Sequence, residues 1–352
     1  MPLLARMLLS PLFIDIRAGA VSGLGDLLSD RRISADGHVA VAVGPGQGEK
    51  LVEAIRPTLA NADVFTVRGG SLEAAGELQA ELRGKHYDAL VGIGGGRTLD
   101  VAKYAATRLA LPMVAVATNL AHDGIASPVS SLLHEGGKGS FGVGLPIAVV
   151  VDLDYVRGSP PRMVRSGVGD VVSNLTAIED WRLAHDERGE PVDGLAVTFA
   201  RTAAEAVLHR TDGIESDAFL TALAEALVLS GMAMAAAGSS RPGSGADHEV
   251  MHAIDRLFPG TANHGELAGV GALFSAFLRE NEVLAEQIDT CLRRHGLPRV
   301  PGDVGLSQQQ FVEAVVFAPQ TRPDRYTILE HLDLDEDAVR DRVEAFSKVF
   351  GG

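Results

Sequence analysis

Six short runs of apolar, mostly β-branched residues punctuate the first 152 positions: Phe13 to Arg17, His38 to Val43, Asp63 to Val67, Ala89 to Ile93, Met113 to Thr118 and Ile147 to Asp152. Several are apolar throughout, the pattern of strands covered on both faces. Between them apolar residues recur at helical spacing, as in Leu51, Ile55 and Leu59 and again in Leu72, Leu78 and Leu82. Strand alternating with helix predicts a parallel sheet with crossover helices, and such sheets bind ligands outside the carboxyl ends of their strands. Past about Asp154 the pattern changes. Ser159-Pro160-Pro161 punctuates the chain, and the remainder is rich in Ala and Leu at helical spacing, including Phe219, Leu220, Leu223 and Leu227. Ser307 with Gln310 three residues later reads as a capping box. The stretch Ala226 to Gly238, 13 residues long, is too short to cross a bilayer and reads as a buried helix. The prediction is an α/β domain over residues 1–155 and an all-helical domain over 156–352.

Composition narrows the function classes. With 352 residues the chain has two-domain length, and 31 Lys+Arg against 46 Asp+Glu give a net charge of −15. A nucleic-acid or anionic-membrane partner is therefore not expected. The single cysteine, Cys291, can form neither an intramolecular disulfide nor a zinc knuckle, so any metal falls to His and carboxylates, and a reducing cytoplasm fits. Met1 to Ile14 is apolar, but Pro2 and Pro11 bracket a short segment and no small-residue cleavage site follows, so it is not read as a secretory leader. Enzymes of small molecules are commonly homo-oligomers, and a homo-oligomer of unspecified size is the expectation. Two features stand out: 40 glycines, and three of the 11 histidines packed between residues 248 and 264.

Gly92-Ile93-Gly94-Gly95-Gly96 follows an apolar run and precedes good helix formers, Arg97 to Lys103. Glycines at a strand-to-helix turn let backbone amides approach a pyrophosphate, whose charge the helix N-terminus favours. The Rossmann fingerprint is incomplete, because Arg97 stands where the third glycine belongs. A tight turn needing glycine for conformational reasons alone would look the same.

His248 and His252 lie four apart in Asp247-His248-Glu249-Val250-Met251-His252, on one face of a helix, and His264 follows in Asn263-His264-Gly265-Glu266. Their concentration points to metal binding or catalysis. Upstream, Gly167-Val168-Gly169-Asp170 offers a carboxylate on a glycine-bracketed bend that would complete an Asp-His-His set with one open position, as a Lewis-acidic zinc needs. The same residues match the H-E-x-x-H pattern of zinc peptidases, with Glu249 as general base and Glu266 as a third ligand. The longer metzincin form fails at Asp255 and Phe258, and the peptidase reading leaves the glycine loop unexplained.

These motifs together resemble the sn-glycerol-1-phosphate dehydrogenase family, within the larger group of glycerol dehydrogenases, iron-type alcohol dehydrogenases and dehydroquinate synthases. The similar stretches are Gly94 to Lys103, His122-Asp123-Gly124-Ile125-Ala126-Ser127-Pro128, Gly169 to Asn174 with Asp180 to Ala184, the His248/His252 segment, His264-Gly265-Glu266 with Gly269-Val270-Gly271, and Thr327 to Glu330. The resemblance implies a dehydroquinate synthase-like fold, with an N-terminal dinucleotide-binding α/β domain and a helical metal- and substrate-binding domain. It implies NAD or NADP as cofactor and a divalent metal, usually zinc, with Fe2+ or Ni2+ as alternatives. Asp170, His248 and His264 match the family's metal ligands. His252 and Asp123 match catalytic or substrate-facing residues, and Asp170 also lies toward substrate. Gly94, Gly95, Gly96, Arg97, Thr98, Leu99 and Asp100 match the pyrophosphate loop, and Thr118, Asn119, Leu120, Ala121 and Ser127 further cofactor contacts.

The implied reaction is reduction of dihydroxyacetone phosphate, or of a related small ketone, to the alcohol. His252 would relay a proton or hydrogen-bond a substrate hydroxyl, and Asp123 would orient substrate from the side of the sheet. Two departures bear on the substrate and cofactor. The family carries lysines before the strand-opening Pro146, whereas this chain has Ser140 to Leu145 with only Lys138 nearby, which questions a phosphorylated substrate. Gly44-Pro45-Gly46-Gln47-Gly48 holds neither an acid for a ribose hydroxyl nor a base for a 2′-phosphate, leaving NAD and NADP both open. A dehydroquinate synthase-like cyclase using NAD transiently is the alternative, disfavoured by Asp at 170 where those synthases place Glu.

Overall fold

The computed structural model describes residues 8–35, 37–59, 61–135 and 137–351, so Met1 to Met7 of the apolar N-terminal segment lie outside the described residues. The chain divides into two compact units, one comprising the described residues up to Leu120 with Gly124–Ser159, the other Ala121–Asp123 with Pro160–Gly352.

The first unit holds a six-stranded parallel sheet of β1 (Phe13–Arg17), β2 (Val39–Val43), β3 (Ala62–Thr66), β4 (Ala89–Gly94), β5 (Met113–Ala117) and β8 (Ala148–Asp152) in the order β1-β8-β5-β4-β2-β3. All six runs read from the sequence are strands, with ends shifted by a residue at most. β2, β4, β5 and β8 are buried at every position, whereas the edge strands β1 and β3 are partly exposed. The central strands thus bury both faces, which is why they are apolar throughout. Helices α1 (Leu24–Leu28), α2 (Gln47–Ile55), α3 (Leu72–Leu82), α4 (Gly96–Leu109) and α5 (Leu153–Arg157) belong to this unit. A second sheet escaped the sequence reading. It is an antiparallel hairpin of β6 (Val129–His134) and β7 (Gly137–Gly142), whose glycine-rich second strand lacks the β-branched residues that mark the others.

From β2 the chain runs outward to β3, while from β4 it runs the other way to β5. The adjacent strands β2 and β4 therefore form a topological switch point, where a crevice opens at the carboxyl ends of the strands. The glycine loop after β4 and the Gly44-Pro45-Gly46 loop after β2 meet there: a Cβ on Gly44 would lie 2.3 Å from Thr98 Oγ1.

In the second unit every regular element among the described residues is helical: α6 (Pro161–Arg188), α7 (Gly194–Leu208), α8 (Asp217–Ala237), α9 (Ala246–Leu257), α10 (His264–Leu278), α11 (Glu282–Arg294), α12 (Gln308–Phe317), α13 (Ile328–Leu332) and α14 (Glu336–Phe350). The expected capping box of Ser307 and Gln310 opens α12. The 13-residue apolar stretch is the end of the 21-residue α8, the one helix among the described residues long and apolar enough to cross a membrane; 61% of its apolar window is buried inside the protein. The expected bend at Gly167 and Gly169 is absent, because both lie within the continuous 28-residue α6.

Gly169 instead permits close helix approach, together with glycines of α10. A Cβ on Gly169 would lie 2.1 Å from the Gly265 carbonyl oxygen, and one on Gly265 would lie 1.7 Å from the Ser166 carbonyl oxygen. Further along α10, a Cβ on Gly271 would lie 2.4 Å from the Asp247 carbonyl oxygen on α9. Helix α10 is therefore pressed backbone to backbone against α6 on one side and α9 on the other. Since backbone cannot yield as a side chain does, Gly265→Ala should destabilise the protein by about 3 kcal/mol or more, measured by denaturant unfolding. Gly194→Ala, at a position where a Cβ meets nothing within 4 Å, should be close to neutral. Equal stability of the two variants would refute the crossing as a constraint.

Candidate functional site

The crossings carry chemistry at their flanks. Asp170 follows Gly169 on α6, His264 precedes Gly265 on α10, and His248 follows Asp247 on α9. The ligand atoms of Asp170, His248 and His264 lie within 4.8 Å of one another. His264 Nε2 is 3.2 Å from Asp170 Oδ1 and 3.2 Å from His248 Nε2, and His248 Nε2 is 3.9 Å from Asp170 Oδ1. A tetrahedral ion with bonds of zinc length holds its ligand atoms about 3.3 Å apart, so the three atoms are spaced as the corners of such a site.

The orientation of His248 has a clear cause. Its Nδ1 lies 2.5 Å from Asp247 Oδ1, and Asp247, fully buried, accepts at Oδ2 from Thr176 Oγ1 at 2.9 Å. Donation of Nδ1–H to Asp247 leaves the Nε2 lone pair directed at the cluster, the arrangement by which a carboxylate orients a metal-binding histidine. Asp247 was missed in the sequence, although its place directly before His248 is a usable signal. Burial disfavours the charged form of Asp170, but His264, His248 and His122 outweigh it and hold the carboxyl below its ordinary range. Asp170 Oδ2 also accepts from the Asp123 amide at 2.8 Å. Two imidazole nitrogens and a carboxylate oxygen converging on one point form a donor set that a divalent cation fits.

Asp123, expected on the side of the sheet, belongs to the helical unit, where its Oδ2 accepts from Ser230 Oγ at 2.9 Å. His252 lies one turn along α9, its ring centroid 6.3 Å from that of His248, and its Nε2 is 3.0 Å from an Arg322 guanidinium nitrogen. The two acids of the peptidase reading are engaged elsewhere. Glu266 accepts from Arg162 and closes the capping box of α10 through the Asn263 amide. Glu249 is fully buried, with Oε2 accepting from Thr327 Oγ1 at 3.0 Å and Oε1 lacking a hydrogen-bond partner. Burial, with Glu330 and Asp180 nearby, pushes its pKa up to about 9. Neither acid lies in the cluster.

In the α/β unit, Gly95 is the N-cap of α4 and no side chain caps the helix, so its first amides are available to an anion. A Cβ on Gly95 would lie 2.4 Å from Asn119 Nδ2, and the Thr118 amide donates to the Gly94 carbonyl at 3.0 Å. The structure therefore brings Gly94 to Thr98 together with Thr118 and Asn119, over buried Leu99 and Leu120. Arg97 is exposed at the rim. Asp100 and Ser127 are both buried. Asp100 pairs with the fully buried Lys103 at 3.1 Å, and Lys103 Nζ also donates to the carbonyls of Val129 at 2.5 Å and Ser127 at 3.3 Å. Ala121 falls within the helical unit.

The chain is 35% identical to the glycerol-1-phosphate dehydrogenase [NAD(P)+] of Hyperthermus butylicus over 97% of its own length and 98% of the relative's. The chain belongs to the glycerol-1-phosphate dehydrogenase family. The enzyme of that name from Methanoculleus marisnigri is 40% identical over 72% of this chain and 71% of its own. Residues 15–160 match the family model for iron-containing alcohol dehydrogenase. Among solved structures, a probable glycerol dehydrogenase of Sinorhizobium meliloti superposes with a TM-score of 0.79 at 21% identity, covering 98% of this chain and 99% of that one. Glycerol dehydrogenase of Schizosaccharomyces pombe gives 0.75 at 19%, covering 98% and 91%. These two share the fold.

Two variants test the helical site. Asp247→Asn should weaken zinc binding about 10- to 100-fold, read by competition with a chromophoric chelator; unchanged affinity would remove Asp247 from the ligand's support. Glu249→Gln should retain most activity and bind metal normally. Because the folded-state pKa of Glu249 is raised, its favourable protonated form is fully present below the unfolded value of 4.5 and is lost as pH rises toward about 9. Thermal melts should therefore match wild type near pH 5 and favour the variant progressively toward pH 9. Abolished activity at full metal content would restore Glu249 as a catalytic base.

Proposed function

We propose that the chain is a metal-dependent NAD(P)-linked dehydrogenase that reduces dihydroxyacetone phosphate to sn-glycerol 1-phosphate in the cytoplasm. The observation that carries this reading is the convergence of Asp170, His248 and His264 in a chain that matches glycerol-1-phosphate dehydrogenases along almost its whole length. Asp170, His248 and His264 would hold the divalent ion, zinc in the first instance, whose chemistry is to polarise a ketone oxygen and favour the alkoxide. The glycine loop and the start of α4 would hold the pyrophosphate of NAD(P)H, whose chemistry is hydride donation.

The chain's own residues do the rest. An arginine always donates, so His252 accepts from Arg322 at Nε2 and carries its own proton on Nδ1. His252 would act on a substrate oxygen, as proton relay to the developing alkoxide or to hold a hydroxyl in place. Asp123, steadied by Ser230, would accept a hydrogen bond from a substrate hydroxyl and so fix which face of the ketone is presented. The hydrogen bond that its backbone amide donates to Asp170 would couple that placement to a metal ligand.

The test is consumption of NADH and NADPH, followed at the nicotinamide absorbance, with a panel of small ketones and their phosphates. His264→Ala should lose activity by more than about 100-fold and lose bound metal together. Failure to oxidise either cofactor with any ketone would overturn the reading; activity surviving with metal bound would overturn the ligand set.

A further inference from the structure

The loop after β2, Gly44-Pro45-Gly46-Gln47-Gly48, carries no charged side chain, yet β2 lies next to the strand that ends in the glycine loop. In doubly wound sheets the adenosine ribose of a dinucleotide lies over the carboxyl end of that neighbouring strand, where an acid receives its 2′-hydroxyl or an arginine its 2′-phosphate. The fold brings cations to this place from two other segments. Val67 donates its amide to the Val43 carbonyl at 2.8 Å, which seats the end of β3 beside the last residue of β2, and Arg68 follows directly. The chain then turns through Gly69, whose φ is +93°, into Gly70. A Cβ on Gly70 would lie 2.9 Å from Arg97 Cγ and 3.3 Å from Arg97 Cδ. The stem of Arg97 is therefore laid across the backbone two residues past Arg68.

We propose that Arg97 and Arg68 receive the 2′-phosphate of NADPH and so make this chain prefer NADPH to NADH. The inference rests on the dinucleotide-binding part of the dehydrogenase reading above. Both side chains are exposed, and neither forms a hydrogen bond or ion pair with another described residue. That is notable in a chain whose 46 acidic residues outnumber its 31 Lys and Arg, since most cations in such a chain find an acid close by. Arg97 also stands in the first turn of α4, where the helix dipole disfavours a cation, and no acidic residue shares that turn. An anion arriving with the cofactor would relieve this repulsion and give both guanidinium groups a partner.

The chemistry of the two cofactors separates them at this position. A planar guanidinium presents paired N–H donors that match two oxygens of a phosphate monoester, with full charge on both sides of the contact. A bare 2′-hydroxyl offers one neutral acceptor. The acid that would favour the hydroxyl is missing from the end of β2, and Glu49, the next acid along the chain, belongs to the first turn of α2 with Lys50 directly after it.

Two binding measurements on the full chain test the proposal, and neither depends on turnover. In the first, NADPH and NADH are titrated separately while the nicotinamide fluorescence is followed. Wild type should bind NADPH about 10- to 100-fold more tightly. Arg97→Gln and Arg68→Gln should each reduce that ratio about 5- to 10-fold, chiefly by weakening NADPH, and Arg97→Lys should fall between wild type and Arg97→Gln. In the second, adenosine 2′,5′-bisphosphate and adenosine 5′-monophosphate are compared by calorimetry. The bisphosphate should bind more tightly, and its advantage should shrink as salt is raised and vanish in the double variant. An unchanged melting temperature checks that the variants are folded. Equal affinity of wild type for the two dinucleotides, a preference for NADH, or a preference for NADPH that survives in the double variant would overturn the assignment to the arginines while leaving the cofactor site intact. A chain that binds neither dinucleotide would overturn the cofactor site, and the inference with it.

Discussion

Gly265 lies where a single added carbon would sit 1.7 Å from a backbone oxygen of the neighbouring helix, and the geometry of the metal corner depends on that contact. Three candidate ligand atoms within 4.8 Å of one another come here from three helices whose backbones close to contact beside those residues. Gly169, Gly265 and Gly271 allow it, and the residue next to each crossing carries or supports a ligand. Asp170 succeeds Gly169, His264 precedes Gly265, and Asp247, whose carbonyl faces Gly271, precedes and orients His248. The contact is steric, but its product is electrostatic.

Around this corner the helical unit buries a set of charges that would be costly singly. Asp180 is fully buried, bound to Arg279, and accepts the opening amides of α9 and α13 from Ala246 at 2.8 Å and Ile328 at 2.7 Å. It thereby ties the helix carrying His248 to the loop that carries Arg322 and to Thr327. Buried polar groups are tolerated when their bonds are satisfied, and a satisfied network specifies one arrangement. Glu249 is one exception, with one oxygen unpartnered, and burial beside Glu330 and Asp180 raises its pKa.

Much of this was legible in the chain. β2, β4, β5 and β8 announce themselves because burial on both faces leaves uninterrupted apolar runs. The hairpin did not, since Gly137 to Gly142 owes its pairing to β6 rather than to its own side chains. The i, i+4 spacing of His248 and His252 placed both on one helical face, yet spacing alone could not say that His248 turns to the cluster and His252 to Arg322. That division depends on Asp247 and on a residue 70 positions downstream. Asp170 was read as a candidate ligand from the residues and by resemblance, while the glycines around it were misread as a bend because glycine signals a turn and a close helix crossing equally. Glu266 looked like a ligand by proximity in sequence, but the first turn of α10 uses it as a cap.

Ala121, His122 and Asp123 cluster with the helical unit although the chain on either side of them belongs to the α/β unit. A polypeptide begun at Pro160 would thus carry all three converging side chains and the glycines that seat them. It would still lack the amide that Asp170 Oδ2 accepts and the carboxylate held by Ser230. The helical unit is consequently not a transferable cassette. Any recombination between relatives that swaps the two halves at a single point in the chain separates Ser230 from a side-chain partner encoded 107 residues earlier, so the two halves are constrained to change together.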